Sequence, residues 1–193
     1  MRSSRRPRNL AREALTGLLG GLLGSCAMNI LARCVAAAGN GREAPGAAPG
    51  ADRFGRGVQP PQALGTADQD ATVKVGTGVY RAVAADEPDR ITQQWLGSAA
   101  HLSFGAGAGF AYALLARRIP VLTKGYGVLY GTLVWALADE GVIPALGLSQ
   151  RPEEIRPGVH AYALLGHFVY GATLETVRRY RTTGGHEQRR LLA

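Results

Sequence analysis

The chain has 193 residues and a formal net charge of +8, yet only 19% of its residues are charged, against about 25% in soluble domains. This length suits one domain. The 46% hydrophobic content argues against a disordered chain, and two cysteines are too few for a disulfide scaffold.

Four stretches of the sequence are almost free of charge. They are residues 14–32, 91–116, 125–150 (where Asp139 and Glu140 are the exceptions) and 157–174. A helix needs about 20 apolar residues to cross a bilayer. The pattern therefore predicts an all-α integral membrane bundle, the domain 14–177, with transmembrane helices at residues 14–35, 98–116, 126–148 and 159–177.

The basic residues predict how this bundle is oriented. Thirteen of the 22 fall in the tail 1–13, in the loop between the second and third helices and in the tail 178–193. On the other side, basic residues are balanced by acidic ones, so the positive-inside rule places both termini in the cytoplasm. No nucleic-acid-binding motif accompanies the arginines, so we expect no nucleic-acid partner.

The first predicted helix also resembles a secretion signal. A twin-arginine start at Arg5 and Arg6 and a lipoprotein-like box ending at Cys26 support that alternative. Apolar residues continue past Cys26, and losing the helix would leave three crossings, so we expect the helix to be retained. Cys26 and Cys34 are about 12 Å apart by helical rise, too far for a disulfide, and are predicted to be ordinary packing residues.

Residues 39–90 are predicted to form a long, largely irregular extracytoplasmic insert between the first and second helices. Its first part, 39–65, is rich in Gly, Ala and Pro and favours irregular backbone. In its second part, Val73, Val79 and Val83 predict one face of an amphipathic helix at the outer membrane surface.

Glycines spaced four residues apart predict close helix packing. They are Gly17 and Gly21 in the first helix, Gly105 and Gly109 in the second, and Gly127 and Gly131 in the third. Such spacing lets helix backbones approach each other in lipid. It does not say which helices pair.

Ionisable residues inside the predicted spans are the candidate site. They are His101, Asp139, Glu140, His160 and His167. Ionisable groups are costly in a membrane and tend to face the bundle interior or a water-filled cavity, and all five fall in the outer half of the bilayer. Gly141 and Pro144 follow the carboxylates and predict a helix break, because proline clashes with the carbonyl four residues earlier. The alternative is a frayed outer end of the third helix.

Two functions fit this cluster. In the first, the cluster holds together a structural or interaction protein, whose partners are the bilayer and a second copy or another membrane protein. In the second, it serves a proton, metal-ion or small-solute channel or transporter, because histidine and carboxylate relay protons and ligate metals. We expect no enzyme, cofactor or resident metal, since the sequence has neither a nucleophile with an adjacent base nor an HExxH helix.

Short motifs in all four predicted helices resemble a known family. They are DEGVIPALGL at 139–148, Pro152, His160, GHFVYG at 166–171, His101 with Phe104, Gly105, Gly109 and Tyr112, and Gly24 with Ser25, Ala27 and Met28. The family is the YagU-like group of small bacterial inner-membrane proteins. The resemblance implies a four-helix protein of that membrane with a link to acid or envelope stress, and no particular activity.

Overall fold

The computed structural model describes residues 5–40 and 71–190, and this part of the chain is all-α, which confirms the predicted class. The helices are α1 Arg5–Asn40, α2 Ala71–Ala84, α3 Arg90–Leu115, α4 Val128–Leu137, α5 Ile143–Ala145 and α6 Pro157–Arg190. A π-helical turn, Ala138–Val142, joins α4 to α5, and 3-10 turns occupy Pro120–Thr123 and Pro152–Glu154. No strand occurs among these residues.

The helix α1 lies between α3 and α6 and makes the most extensive contacts with them. The helix α4 packs on α6, and α2 packs on α3. Side chains from three of these helices and the α3–α4 loop form the core: Tyr112, Ala116, Leu122, Tyr130, Tyr170 and Leu174.

The backbones of α1 and α3 are in direct contact. A Cβ atom on Gly21 would overlap the carbonyl oxygen of Gly105, and one on Gly17 would overlap that of Gly109. Because the lower-numbered glycine meets the higher-numbered one, the two helices run antiparallel. Any side chain larger than hydrogen would force them apart.

The helices α4 and α6 meet in the same way. A Cβ atom on Gly131 would overlap the carbonyl oxygen of His167, and one on Gly127 would overlap that of Gly171. This pair is also antiparallel. The glycine spacings therefore belong to two helix pairs, α1 with α3 and α4 with α6.

The N-terminus of α3 begins at a side-chain cap. Asp89 accepts a hydrogen bond of 2.7 Å from the backbone N–H of Thr92, which satisfies one of the donors left open at a helix start. Hydrogen bonding from Thr92 lowers the pKa of Asp89, since it stabilises the ionised carboxylate.

The helix α4 continues through Gly141 as a π-helical turn. The N–H of Ile143 bonds to the carbonyl of Ala138, five residues earlier, and Pro144 follows as part of α5. Proline has no N–H to offer to Glu140, and the wider turn absorbs this loss without unwinding. The predicted break or frayed end is thus a π turn, a feature that is common at functional sites.

The predicted face of the insert helix is wrong. In α2 the buried residues are Val73, Gly76 and Thr77, whereas Val79 and Val83 are 62% and 83% exposed. Val73 and Val79 are six residues apart, which is about 240° around a helix, so they lie on different faces.

The rest of the insert lies mostly outside the described residues. The prediction of irregular backbone over 39–65 falls largely on residues 41–70, of which nothing is described, and α1 extends through Asn40. Cys26 and Cys34 are exposed on α1, so the prediction that they are packing residues is wrong.

Two helical segments of the described chain are long and apolar enough to cross a membrane by length and composition. They are Leu10–Val35 in α1 and Val128–Ala145, which comprises α4, the π turn and α5. The helices α3 and α6 fall short of that criterion.

Candidate functional site

The π turn carries two carboxylates toward α6. Glu140 Oε1 lies 2.5 Å from Nδ1 of His160, and both side chains are 23% exposed. The second ring nitrogen of His160, Nε2, lies 3.1 Å from the carbonyl oxygen of Pro152. His160 therefore bridges the π turn and the 3-10 turn that precedes α6.

Both ring nitrogens of His160 are used in these contacts. The Pro152 carbonyl can only accept a hydrogen bond, so Nε2 of His160 must carry a hydrogen. The other ring nitrogen, Nδ1, faces the Glu140 carboxyl oxygen at 2.5 Å, so Glu140 and His160 are in direct hydrogen-bonding contact.

Asp139 and His167 form a looser pair, with His167 two helical turns further along α6 than His160. Asp139 Oδ2 lies 3.8 Å from Nδ1 of His167, which is within ion-pair distance and too long for a hydrogen bond. His167 Nδ1 instead donates to the carbonyl of Ala163 at 2.9 Å. The Asp139 side chain remains 34% exposed, against 10% for His167.

Four of the five predicted site residues thus form two carboxylate–histidine pairs between the π turn and α6. The fifth, His101, is half-buried on α3. Among the side chains that the structure describes, which do not include those of residues 182–190, no three His, Cys, Asp or Glu residues come together in a way that could hold a metal ion.

A second polar group lies at the opposite end of the bundle, where the predicted span 159–177 ends within α6 and where α4 begins. Glu175 of α6 is fully buried. It accepts hydrogen bonds from the Tyr112 hydroxyl at 2.6 Å, from Arg178 Nε at 2.6 Å and from Arg179 Nε at 2.7 Å. We call these four residues the Glu175 cluster.

Sequence reasoning missed Glu175, although the residue lies within the predicted span 159–177. The charge-free stretch ends one residue earlier, at Leu174, so Glu175 is not among the ionisable residues predicted to form the candidate site. The available signal was its spacing to Arg178 and Arg179, three and four residues on, which puts all three on one helical face.

Buried tyrosine hydroxyls connect α3 to the helices across the bundle. Tyr170 of α6 donates to the carbonyl of Gly105 at 2.5 Å, and Tyr130 of α4 donates to that of Ala108 at 2.6 Å. The rings of Tyr112 and Tyr130 lie 4.7 Å apart. The hydroxyls of Tyr112, Tyr130 and Tyr170 therefore each have a hydrogen-bond partner in the interior.

These features define an all-α protein with glycine-mediated helix contacts and a polar interior. A model of the DUF1440 family, described as proteins of unknown function, matches residues 69–176. This is more than half of the chain, and the chain belongs to that family. The matched region contains both carboxylate–histidine pairs together with Tyr112 and Glu175. No curated protein and no solved structure matches the chain.

Proposed function

We propose that the chain is a multi-pass protein of the bacterial inner membrane, related to the YagU-like group. In this proposal α1, α3, α6 and the α4–α5 segment cross the bilayer with both termini in the cytoplasm. Its role is structural or interaction-based and not enzymatic, and the carboxylate–histidine pairs hold α4 and α6 together.

The observation that carries this proposal is the distribution of side chains on α1, where small residues are buried and large apolar residues are exposed. Its buried residues are small: Gly17, Gly20, Gly21, Gly24, Ser25 and Ala32. Its large apolar residues face outward and are between 37% and 61% exposed: Leu15, Leu18, Leu19, Leu22, Leu23 and Ile30. A soluble protein buries its leucines, whereas lipid accepts leucine on the outside and small residues between helices.

The helices α3 and α4 share this distribution in part, although each also buries a tyrosine. In α3 the buried residues include Gly105 and Gly109, while Phe104 and Phe110 are exposed. In α4 Gly131 is buried and Leu137 is 67% exposed. Their outer surfaces therefore suit acyl chains even where the overall apolarity of a helix is modest.

The proposed orientation is supported by contacts at one end of the bundle. Arg117, just after α3, forms a 2.7 Å ion pair with Glu13 of α1. Arg179 of α6 stacks on Tyr126, just before α4, with its guanidinium carbon 4.5 Å from the ring centre. The basic segments thus share one end, which the positive-inside rule assigns to the cytoplasm.

The topology is tested by cysteine labelling in intact cells. The native Cys26 and Cys34 are first replaced by serine, and a single cysteine is then introduced by Gln150→Cys, between α5 and α6, or by Val121→Cys, between α3 and α4. A membrane-impermeant maleimide should label Gln150→Cys directly and Val121→Cys only after lysis. Equal labelling of both before lysis, or release of the chain from membranes by alkaline carbonate, would contradict the proposal.

A second candidate function is a path for protons or cations, and the geometry of Asp139 favours it. Its side chain is one-third exposed, and its Oδ2 lies 3.8 Å from Nδ1 of His167. This distance is too long for a hydrogen bond, so the carboxylate is not fully engaged in a structural contact. Exposed carboxylates inside a membrane bundle are typical of ion pathways. Such a narrow bundle would need several copies to form a pore.

Substitutions at His167 distinguish the two functions. If the residue is structural, His167→Gln keeps a hydrogen-bonding side chain and should retain far more thermal stability than His167→Leu. If the residue handles ions, both variants should abolish proton or cation flux in liposomes while remaining folded. Wild-type stability and an absence of flux in all three proteins would remove His167 from both candidate functions.

A further inference from the structure

The two histidines of the carboxylate–histidine pairs differ in how their ring nitrogens are used. His160 has a partner at each nitrogen, the carboxylate of Glu140 at Nδ1 and a backbone carbonyl at Nε2. His167 is contacted at Nδ1, where the carbonyl oxygen of Ala163 lies at 2.9 Å and Oδ2 of Asp139 at 3.8 Å. Among the described residues, none forms a hydrogen bond with Nε2 of His167.

The contact with Ala163 selects one form of the neutral His167 ring. A backbone carbonyl only accepts hydrogen bonds, so Nδ1 of His167 carries the hydrogen. A neutral imidazole has a hydrogen on one nitrogen only, so Nε2 is left with a lone pair. His160 has the opposite arrangement, because its Nε2 carries a hydrogen toward the carbonyl of Pro152. At Nε2, His167 therefore offers a base where His160 offers a donor.

The ring of His167 is buried and its position is fixed by helix packing. Its side chain is 10% exposed. The backbone that carries it is in direct contact with α4, since a Cβ atom on Gly131 would overlap the carbonyl oxygen of His167. Buried polar atoms in proteins usually have a partner. A nitrogen without one, on a side chain that is nine-tenths buried, points to a ligand.

Asp139 supplies the negative charge next to the His167 ring. Among the described residues it is the only carboxylate within ion-pair distance of that ring, because the neighbouring Glu140 contacts His160 instead. The helix α1 has no charged residue from 14 to 32, and α4 has none. The other titratable side chains in these parts of α1, α4 and α6 are uncharged near neutral pH: Cys26, Tyr130, Tyr162 and Tyr170.

The number of available ligands indicates which cation fits beside His167. Among the described side chains no three His, Cys, Asp or Glu residues come together, so a metal ion would find one nitrogen and one carboxylate. Zinc sites use about three or four protein ligands. A proton needs a single lone pair, and a carboxylate 3.8 Å from the ring stabilises the imidazolium that forms.

We propose that Nε2 of His167 is a proton-binding site and that Asp139 is the counterion of the protonated ring. In the binding step the lone pair of Nε2 forms an N–H bond with a proton of hydronium, whose O–H bond breaks to leave water, and the reverse step releases the proton. Ala163 positions the ring through Nδ1. This inference rests on the second candidate function, in which the pair handles ions, and it names the proton as that ion.

Nitrogen NMR of the full-length protein in detergent micelles, with isotope-labelled histidine, tests the site directly. The chain has four histidines, and each signal is assigned by its loss in one glutamine variant: His101→Gln, His160→Gln, His167→Gln or His186→Gln. If His167→Gln does not fold, its signal is the one that the other three variants retain. At the alkaline end of a pH titration, His167 should carry hydrogen on Nδ1 alone, whereas His160 should carry it on Nε2.

Nε2 of His167 should then gain a proton reversibly as the pH falls. Asp139→Asn should weaken this proton binding on the order of tenfold, from the loss of an opposite charge close to the ring. Glu153→Gln is the matched control, because Glu153 is an exposed carboxylate at the same end of the bundle, and it should leave the titration unchanged. A hydrogen on Nε2 alone at alkaline pH, no proton uptake by the folded protein, or equal binding in Asp139→Asn would overturn the site. Binding of Zn²⁺ at Nε2 would mean that the cation is a metal ion.

Proton flux in liposomes keeps the site and the ion path apart. Reversible protonation of Nε2 without flux would contradict the path and support the site. Flux without protonation of Nε2 would contradict the site alone.

Discussion

The carboxylates at the two ends of the bundle differ in how completely their partners enclose them. At the Glu175 cluster, one fully buried carboxylate is bound by three side chains. At the carboxylate–histidine pairs, Glu140 keeps 23% of its side-chain surface and Asp139 keeps 34%. A buried charge is tolerated only with full compensation, so the Glu175 cluster is a fixed structural contact. The carboxylates of the carboxylate–histidine pairs remain accessible and can take part in a function.

The substitution Glu175→Ala should produce the largest effect. It would leave Arg178, Arg179 and the Tyr112 hydroxyl without their common acceptor. The arginines are partly exposed, but the buried Tyr112 hydroxyl would be left unsatisfied, which costs about 1–3 kcal/mol, and the lost side chain would leave a cavity. We expect a large loss of stability, measured by thermal or denaturant unfolding in detergent. Glu153→Ala is the control, because Glu153 is exposed at the other end and should change little. Similar stability for both variants would refute the contrast between the ends.

A pair of glycines tests the same contrast through backbone packing. Gly127 and Gly147 both have positive φ, at 84° and 70°. A Cβ atom at Gly127 would overlap the carbonyl oxygen of Gly171, whereas at Gly147 it would meet nothing within 4 Å. Both alanine variants incur the left-handed backbone penalty of about 1–2 kcal/mol, and only Gly127→Ala adds a steric clash.

Gly127→Ala should therefore be clearly less stable than Gly147→Ala in the same unfolding assay. The comparison cancels the backbone term that the two positions share. A larger loss at Gly147 would mean that the end carrying the carboxylate–histidine pairs is the more tightly constrained one.

The sequence could predict the all-α class and the positions of the long helices, because hydropathy and charge act locally along the chain. It could not identify helix partners, since the spacing of Gly17 and Gly21 is the same whichever helix they meet. It also failed at Glu175, where a charged residue is stable inside the bundle only because Tyr112, 63 positions away, and two arginines surround it. Such compensation depends on tertiary contacts and not on local composition.

The dependence on tertiary contacts also explains why the sequence predicted the residues of the candidate site and not their pairing. Helix lengths alone predict that the five ionisable residues lie in one half of a bilayer, and this stays a prediction. Their separation into the pairs Glu140–His160 and Asp139–His167 depends on the π turn, which shifts the register of the two carboxylates. Pro144 signals a disturbance, and nothing in the sequence determines whether a break, a kink or a wider turn results.

The smallest expected effect concerns the contact between Glu140 and His160. A double-mutant cycle with Glu140→Gln and His160→Gln measures the interaction itself, because effects on each residue's other contacts cancel. We expect a coupling of about 1 kcal/mol, below that of a buried pair, since both side chains keep about a quarter of their exposure.

The matched control for this cycle is the pair Arg81–Glu87, with a similar 2.7 Å contact but 56% and 70% exposure. That coupling should be smaller still and should disappear as salt is added, because exposed pairs are screened. The Glu140–His160 coupling should persist in salt, since its geometry excludes much of the solvent. Equal couplings with equal salt dependence would mean that the carboxylate–histidine pairs do not hold α4 and α6 together. That result would favour an ion-handling role for these residues.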